Sequence, residues 1–216
     1  KNETVRMGSC DELSLPIGYL ASYDGTELSQ TIAQFSKGCP DVTISVFKGT
    51  HEDLYHSLRS GKSLIVLNDQ RRAFSDEYEN FVLKQSPAYV EFSVNHPLAR
   101  IDDITTAHLE NYPCILIASK QQEKIEQDFY ENTLGIGKLF IFAENLDDAK
   151  LMALSGRGYM LVERIKKEES SSLLQREVKR PDFSPIVRTY CAFWQKKKTN
   201  CSIEEFARLL RQIFTE

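Results

Sequence analysis

The residues best suited to bind a small molecule are five polar side chains that each follow a short apolar run. They are Ser22, Thr50, Asp69, Ser119 and Asn145. Hydroxyl, amide and carboxylate groups hydrogen-bond to polar ligands, and near a helix start they lie beside free N–H groups and the positive end of the helix dipole. We therefore expect these residues to contact a small anion or polar metabolite. A carboxylate at Asp69 would oppose an anion, so it favours a cationic or zwitterionic ligand.

The same residue types also cap helices, which is the simpler interpretation of Ser22 and Thr50. Thr50 and Asp53 have the spacing of a capping box, in which the Thr oxygen accepts one free N–H and the Asp carboxylate accepts another. Capping and ligand contact are compatible, because a cap lies at the positive end of its helix. Both roles therefore stay open for these residues.

No motif in the sequence indicates catalysis or metal binding. There is no GxSxG, HExxH, GxGxxG or GxxxxGK[ST] pattern. The four histidines lack the spacing of a metal site, and we expect them at the surface. Arg71-Arg72 and Lys196-Lys197-Lys198 are expected to be solvated loop faces. The sequence thus predicts a binding protein that is not an enzyme and has no cofactor or metal.

The five cysteines form no CxxC pair, a usage that suits a reducing cytoplasm. Cys191 and Cys201 could in principle form a redox switch. Buried, unreactive thiols are the simpler interpretation.

Composition excludes two classes of partner for this chain alone. With 41% hydrophobic and 27% charged residues, the 216 residues have an ordinary globular balance. The net charge of −4 opposes binding to a phosphate backbone, so contact with DNA is not expected from this chain. The apolar runs fall far short of the roughly 20 residues that span a bilayer, and no membrane association is expected.

The elements that would position the polar residues form two α/β stretches. The pattern of residues Leu15–Asp69 predicts a β-α-β-α-β segment with short connections. Strands that alternate with helices in this way are expected to be parallel. A second stretch, Pro87–Val162, also alternates strands and helices. Ligands of open parallel sheets bind beyond the carboxyl ends of the strands. After the charged segment Arg164–Ser172, we expect a strand at Val187–Trp194 and an amphipathic helix with Ser202 as a possible N-cap.

Several segments together resemble the effector-binding domain of LysR-type transcriptional regulators. The resemblance depends on the order and spacing of short landmarks rather than on any one of them. These landmarks are Ile17-Gly18-Tyr19-Leu20, Leu28 with Phe35 and Pro40, Lys48-Gly49-Thr50, Leu58 with Gly61, His96-Pro97-Leu98-Ala99, and Met152-Ala153-Leu154-Ser155-Gly156-Arg157-Gly158-Tyr159.

The resemblance implies an α/β fold of two Rossmann-like lobes with a hinge and an interlobe cleft, the type 2 periplasmic-binding-protein fold. The first lobe would comprise residues 15–86 and 163–216, and the second residues 87–162. Two crossing strands would form the hinge. Residues 1–14 would be a linker remnant or an extension.

The resemblance also implies a function and partners. A small-molecule effector would bind in the cleft, with Ser22 and Thr50 at positions that often contact effector and Ser119 at the matching strand end of the second lobe. The domain would act in the bacterial cytoplasm as a homodimer or tetramer, with Glu27–Lys37 of one chain packed near the second lobe of the other. DNA would be bound only through an N-terminal helix-turn-helix domain absent from this chain. The alternative is a stand-alone extracytoplasmic solute-binding protein with the same fold.

Overall fold

The structure, a computed structural model, describes residues 14–71, 75–162 and 172–215. These residues form two compact units. The described part of the first unit comes from residues 14–20, 25–84 and 189–215, and that of the second from residues 21–24 and 85–188. The chain enters the second unit briefly at residues 21–24, enters it again after residue 84 and returns to the first unit after residue 188.

Strands and helices alternate along much of the described chain. The strands are β1 (Ser14–Leu20), β2 (Thr43–Gly49), β3 (Ile65–Asp69), β4 (Tyr78–Pro87), β5 (Tyr89–Ser93), β6 (Ile104–Thr105), β7 (Pro113–Ile117), β8 (Leu139–Ala143), β9 (Met160–Val162), β10 (Leu173–Lys179) and β11 (Val187–Gln195). The α-helices are α1 (Thr26–Gly38), α2 (His51–Ser60), α3 (Thr106–Leu109), α4 (Glu123–Asp128), α5 (Leu146–Leu154) and α6 (Cys201–Thr215). A turn of π-helix, Phe129–Leu134, continues α4.

The first unit is built on a sheet with the strand order β2-β1-β3-β11-β4. Strand β1 pairs in parallel with β2 and β3, and Ile17 lies opposite both Val46 and Ile65. Strand β11 pairs with β3 in the antiparallel direction, with Ala192 opposite Leu67. The parallel β-α-β-α-β arrangement predicted for the start of the chain is confirmed. It places the carboxyl ends of β1, β2 and β3 at one edge of the sheet.

Helices α1 and α6 pack together through the apolar faces that their sequence periodicity predicts. Phe35 of α1 and Phe206 of α6 meet edge to face with ring centroids 5.3 Å apart, and both are buried. The start of α6 differs from the prediction. Asn200, not Ser202, caps the helix, since its side-chain oxygen accepts from the N–H of Ile203 at 2.9 Å. Ser202 is a buried residue of the first turn.

The second unit contains a four-stranded sheet of order β6-β10-β5-β9 and a parallel pair, β7-β8. Its core includes Phe92, Leu116 and Tyr159, each almost fully buried. Gly158 allows the turn after α5 to pass close to β7. A Cβ atom at this position would lie 2.2 Å from the carbonyl oxygen of Pro113, which instead accepts the N–H of Tyr159 at 3.0 Å.

Three strands were missed by sequence analysis, namely β4, β6 and β10. Strand β10 has no clear apolar pattern in the sequence. Arg176 and Glu177 interrupt its apolar residues, and a polar residue, Gln175, takes one of its buried positions. It pairs with β5 and β6, so residues 172–188 group with the second unit and not with the first lobe as expected. Residues 163–171 and 1–13 lie outside the described residues, and Ser14, expected in the linker, begins β1.

Two of the crossings between the units lie within strands, one in β4 and one in β11, and a hinge formed by two crossing strands stays a prediction. Within the described ranges, no helix has the length and apolar character needed to cross a membrane.

Candidate functional site

The five predicted ligand contacts are divided between the two units. Thr50 and Asp69 belong to the first unit, at the ends of β2 and β3. Ser22, Ser119 and Asn145 belong to the second. Ser22, Thr50, Ser119 and Asn145 follow strands, as predicted, whereas Asp69 is the last residue of its strand.

Thr50 caps α2 through a complete capping box. Its hydroxyl oxygen accepts the N–H of Asp53 at 3.3 Å, and its own N–H donates to the Asp53 carboxylate at 3.0 Å. The hydroxyl also donates to that carboxylate at 2.7 Å. The capping interpretation of Thr50 is therefore confirmed, and a role in ligand contact stays a prediction.

Asp69 lies buried at the end of β3, where it contacts two basic side chains. Its Oδ1 is 3.2 Å from Nε2 of His51 and 3.4 Å from Nε of Arg71. The His51 and Arg71 side chains are each only 13% exposed. The expectation of a surface position is thus wrong for His51, and Arg71 is not on a solvated loop face, because both turn inward to the Asp69 carboxylate.

A pocket of about 240 Å³ opens beside this cluster within the first unit. Its residues come from α2, from β3 and the loop after it, and from β4 and β11. They are His51, Glu52, Tyr55, Leu58, Val66, Asn68, Asp69, Gln70, Arg71, Ser75, Tyr78, Asn80 and Phe193. Sequence analysis proposed only Asp69 among them as a ligand contact. The order of strands β3, β11 and β4 brings the others together, and a sequence pattern gives no signal of that order.

Ser22 lines a crevice of about 10 Å³ in the second unit, together with Asp24, Glu91 and Lys150. Apolar side chains complete its walls. Glu91 is only 2% exposed and its Oε1 accepts a hydrogen bond from Nε2 of Gln175 at 2.9 Å. Sequence analysis missed Glu91, since it stands in the middle of an otherwise apolar strand. Residues of both charge signs therefore line the same crevice as Ser22.

Ser119 and Asn145 occupy the ends of the neighbouring parallel strands β7 and β8. The N–H of Ala118 donates to the carbonyl of Ala143 at 3.2 Å, which fixes the two strand ends side by side. Ser119 donates to Oε1 of Gln122 at 2.8 Å, and Asn145 caps α5 by accepting the N–H of Asp148 at 2.9 Å. Both are exposed, and neither is among the described residues that line the Ser22 crevice.

The described cysteines are free thiols, and two of them are chemically protected. Burial raises the pKa of Cys114 to about 12, and burial together with the Asp69 carboxylate raises that of Cys191 to about 12. A thiol reacts through its thiolate form, so these two groups are poor redox sensors. Within residues 14–71, 75–162 and 172–215, no cluster of three or more His, Cys, Asp or Glu could hold a metal ion.

Histidine burial departs from the surface expectation at a second position. His96 is 4% exposed, and burial lowers its pKa. Its Nδ1 accepts the N–H of Leu98 at 3.2 Å, and its ring lies against Phe92 and Tyr112. The His96-Pro97-Leu98-Ala99 segment therefore has a structural role, in which the imidazole caps the turn that follows β5.

Solved structures of regulator domains share this architecture. The reduced form of the OxyR regulatory domain from Pseudomonas aeruginosa matches with a TM-score of 0.73 and 16% identity, over 93% of this chain and 95% of that one. A full-length BenM mutant matches with a TM-score of 0.76 and 15% identity. The match covers 97% of this chain and 70% of the BenM chain. Such matches confirm the fold class expected from the sequence, a two-lobed α/β fold of the periplasmic-binding-protein type.

Sequence comparison gives the family. The chain is 27% identical over 137 residues to the HTH-type transcriptional regulator CysB of Haemophilus influenzae, a match that covers 61% of this chain and 41% of that protein. The chain thus spans less than half the length of this curated relative. The family model for the LysR substrate binding domain matches residues 12–215, almost the whole sequence. The chain therefore belongs to the LysR substrate binding domain family.

Proposed function

We propose that this chain is the effector-sensing domain of a LysR-type transcriptional regulator, in which a small polar metabolite controls transcription. The match of the family model over residues 12–215 is the observation that carries this proposal. The regulators OxyR, BenM and CysB among the similar proteins support it. None of these relatives is described as an enzyme, and the family match favours a regulator over a stand-alone solute-binding protein.

The effector would be bound by polar side chains at strand ends, with Ser22 as the first candidate. Ser22 lines a crevice together with Asp24, Glu91 and Lys150, and at about 10 Å³ this crevice has room for one small polar group of the effector. Neighbouring groups of both signs favour a polar or zwitterionic effector over a simple anion. Thr50, Asp69, Ser119 and Asn145 remain proposed contacts on the strength of their positions after strands.

Control of transcription requires that the effector bind one arrangement of the regulator more tightly than another. The coupling can be no larger than that difference in affinity, typically about 1–3 kcal/mol. DNA would be contacted by an N-terminal helix-turn-helix domain, in the cytoplasm, and the regulator would act as a homodimer or tetramer. The net charge of −4 supports this division of labour, because it disfavours direct contact with DNA.

The coding sequence upstream of Lys1 tests the proposal directly. A regulator requires a helix-turn-helix domain there, whereas a solute-binding protein requires a signal peptide or a lipobox. Purified full-length protein should then bind its promoter DNA with an affinity that changes when effector is added. An upstream signal peptide would overturn the proposal.

Effector contact by Ser22 is tested by a thermal-shift screen against small polar metabolites. A ligand at 100 times its dissociation constant adds about 2.7 kcal/mol to the stability of the protein. A Ser22→Ala variant should lose most of the shift, and Ser36→Ala, on the exposed face of α1, should keep it. An undiminished shift in Ser22→Ala would remove Ser22 from the site without affecting the family assignment.

Self-association through α1 is tested at Gln34, which is exposed. If α1 lies in the dimer contact, replacing Gln34 with Glu introduces a charge that dimer formation would bury. This substitution should therefore weaken the dimer. Sedimentation velocity measures this directly. Unchanged sedimentation would exclude this face of α1 as the contact.

A further inference from the structure

The pocket beside Asp69, which we call the tyrosine pocket, is lined by described residues that all belong to the first unit. We propose that it binds a free α-amino acid with an aromatic or other large apolar side chain. The proposal does not rest on the proposed function, because such binding requires neither DNA nor the Ser22 crevice; Asp69 is the one proposed effector contact that also lines this pocket. Three features support it: the apolar and aromatic residues of the lining, its charged residues, and the volume of the pocket.

Five of the described residues that line the pocket are apolar or aromatic, namely Tyr55, Leu58, Val66, Tyr78 and Phe193. The rings of Tyr55 and Tyr78 stand 6.4 Å apart between centroids at a tilt of 50°, and Tyr55 is 41% exposed at the rim. Leu58 and Val66 are buried beneath them, and Phe193 of β11 completes the wall. Aromatic rings attract a flat or bulky apolar group and gain from offset or edge contacts with another ring. This part of the pocket therefore suits the side chain of an apolar amino acid.

The lining of the pocket also includes charges of both signs within a short distance of each other. The Asp69 carboxylate lies 3.2 Å from the His51 imidazole and 3.4 Å from the Arg71 guanidinium. Glu52 adds a second carboxylate to the lining. A simple anion would meet Asp69 and Glu52, and a simple cation would meet Arg71. A zwitterion places its ammonium group toward the carboxylates and its carboxylate toward the guanidinium, so it satisfies both.

The volume of the pocket agrees with this class of ligand. At about 240 Å³ it lies just below the roughly 300–1,000 Å³ range of drug-sized ligand sites. A single amino acid places its side chain against the tyrosines and its charged groups against Asp69 and Arg71.

Isothermal titration of the whole chain with L-phenylalanine, L-tyrosine, L-leucine and L-methionine tests the proposal. At least one should bind. The matched probes are 2-phenylethylamine, which lacks the carboxylate, and 3-phenylpropionate, which lacks the ammonium group. If L-phenylalanine binds, each probe should bind at least about tenfold more weakly, because each loses a charge-assisted contact. Absence of binding by all four amino acids would overturn the proposal, and equal affinity for either probe would overturn the zwitterion assignment.

Substitution of Tyr55 places the ligand in this pocket. Tyr55→Ala should weaken binding at least about tenfold, while Tyr55→Phe should retain it, since the ring is what contacts the ligand. Val46→Ala on the exposed face of β2 is the matched control and should bind as the parent does. Thermal melting verifies that each variant is folded. Full binding by folded Tyr55→Ala would exclude the tyrosine pocket.

The histidine ring signals in a proton NMR spectrum give a second readout. The His51 signals should shift on addition of the bound amino acid, and those of His108, in the second unit, should not. A Ser22→Ala variant should show the same His51 shift, which separates this pocket from the proposed effector site. A ligand that leaves the His51 signals in place binds elsewhere and would overturn the proposal.

Discussion

Oδ1 of Asp69 lies 3.2 Å from Nε2 of His51, which joins the last residue of β3 to the first residue of α2. Arg71 approaches the same oxygen from the loop that follows, with its Nε at 3.4 Å. The Asp69 side chain is 3% exposed, so this carboxylate is held away from solvent by its two basic neighbours. The contacts anchor the loop after β3 against the helix that borders the tyrosine pocket.

Loss of the Asp69 carboxylate should therefore destabilise the protein strongly. Asp69→Ala leaves the guanidinium of Arg71 and the imidazole of His51 partly buried without their shared partner, and we expect a loss of about 3 kcal/mol in the free energy of unfolding. Urea denaturation measures it. Asp128→Ala is the matched control, since Asp128 forms an exposed pair with Lys124 at 2.8 Å, and it should leave the transition unchanged. Equal effects of the two substitutions would contradict the buried role of Asp69.

Local sequence signals were sufficient to predict the first β-α-β-α-β segment. Thr50 with Asp53 marked the start of α2, and Gly61, in the left-handed conformation with φ of 79°, marks its end. Strand β10 could not be predicted in this way, because its pairing with β5 joins residues about 80 positions apart, such as Gln175 and Glu91. Such long-range pairing leaves no periodic pattern in a strand rich in charged residues.

The candidate site shows the same division between local and distant information. Asp69 could be identified because it stands at the end of a short apolar run. His51 and Tyr78 could not, because one stands in a helix start and the other in a strand with few apolar residues, and only the fold brings them together. No sequence pattern distinguishes the inward-facing His51 from an exposed histidine such as His56.

The capping box at α2 should make a measurable contribution to stability. Thr50→Ala removes the oxygen that accepts the Asp53 N–H, and we expect a loss of about 1 kcal/mol. Thr50→Ser keeps the oxygen and should cost much less. Thermal denaturation followed by circular dichroism compares the two. If both variants melt alike, the methyl group and not the cap would be the stabilising part of Thr50.

The described thiols should differ sharply in reactivity. Cys201 is exposed, whereas Cys114 is fully buried with a pKa raised by burial to about 12. At pH 8 only about one Cys114 in ten thousand would be a thiolate, the form that reacts. Iodoacetamide labelling followed by mass spectrometry should therefore modify Cys201 readily and leave Cys114 unmodified in the native protein. Comparable labelling of both at pH 8 would contradict the burial of Cys114.

The same pKa gives stability a dependence on alkaline pH. The Cys114 pKa is higher in the folded protein, about 12, than the ordinary value of 9.0. The folded state therefore holds this proton more tightly, and its contribution to stability is complete below pH 9 and is lost as the pH rises towards 12. A Cys114→Ala variant should lose less stability over this range than the parent protein. An identical pH dependence in both would assign the effect to other groups.

Phe183 occupies a strained position at the tip of the turn between β10 and β11. Its φ of 64° is in the left-handed region, and its N–H donates to the carbonyl of Arg180 at 2.9 Å. The side chain is 61% exposed, so its burial offsets little of the cost of this conformation, which is about 1 kcal/mol for an L-residue. Phe183→Gly should therefore raise the free energy of unfolding by up to about 1 kcal/mol, as chemical denaturation would show. Phe183→Ala is the control, because it removes the ring but keeps the backbone strain, and it should give no such gain. If Phe183→Gly were less stable than the parent, the exposed ring would make contacts that stabilise the protein by more than the strain costs.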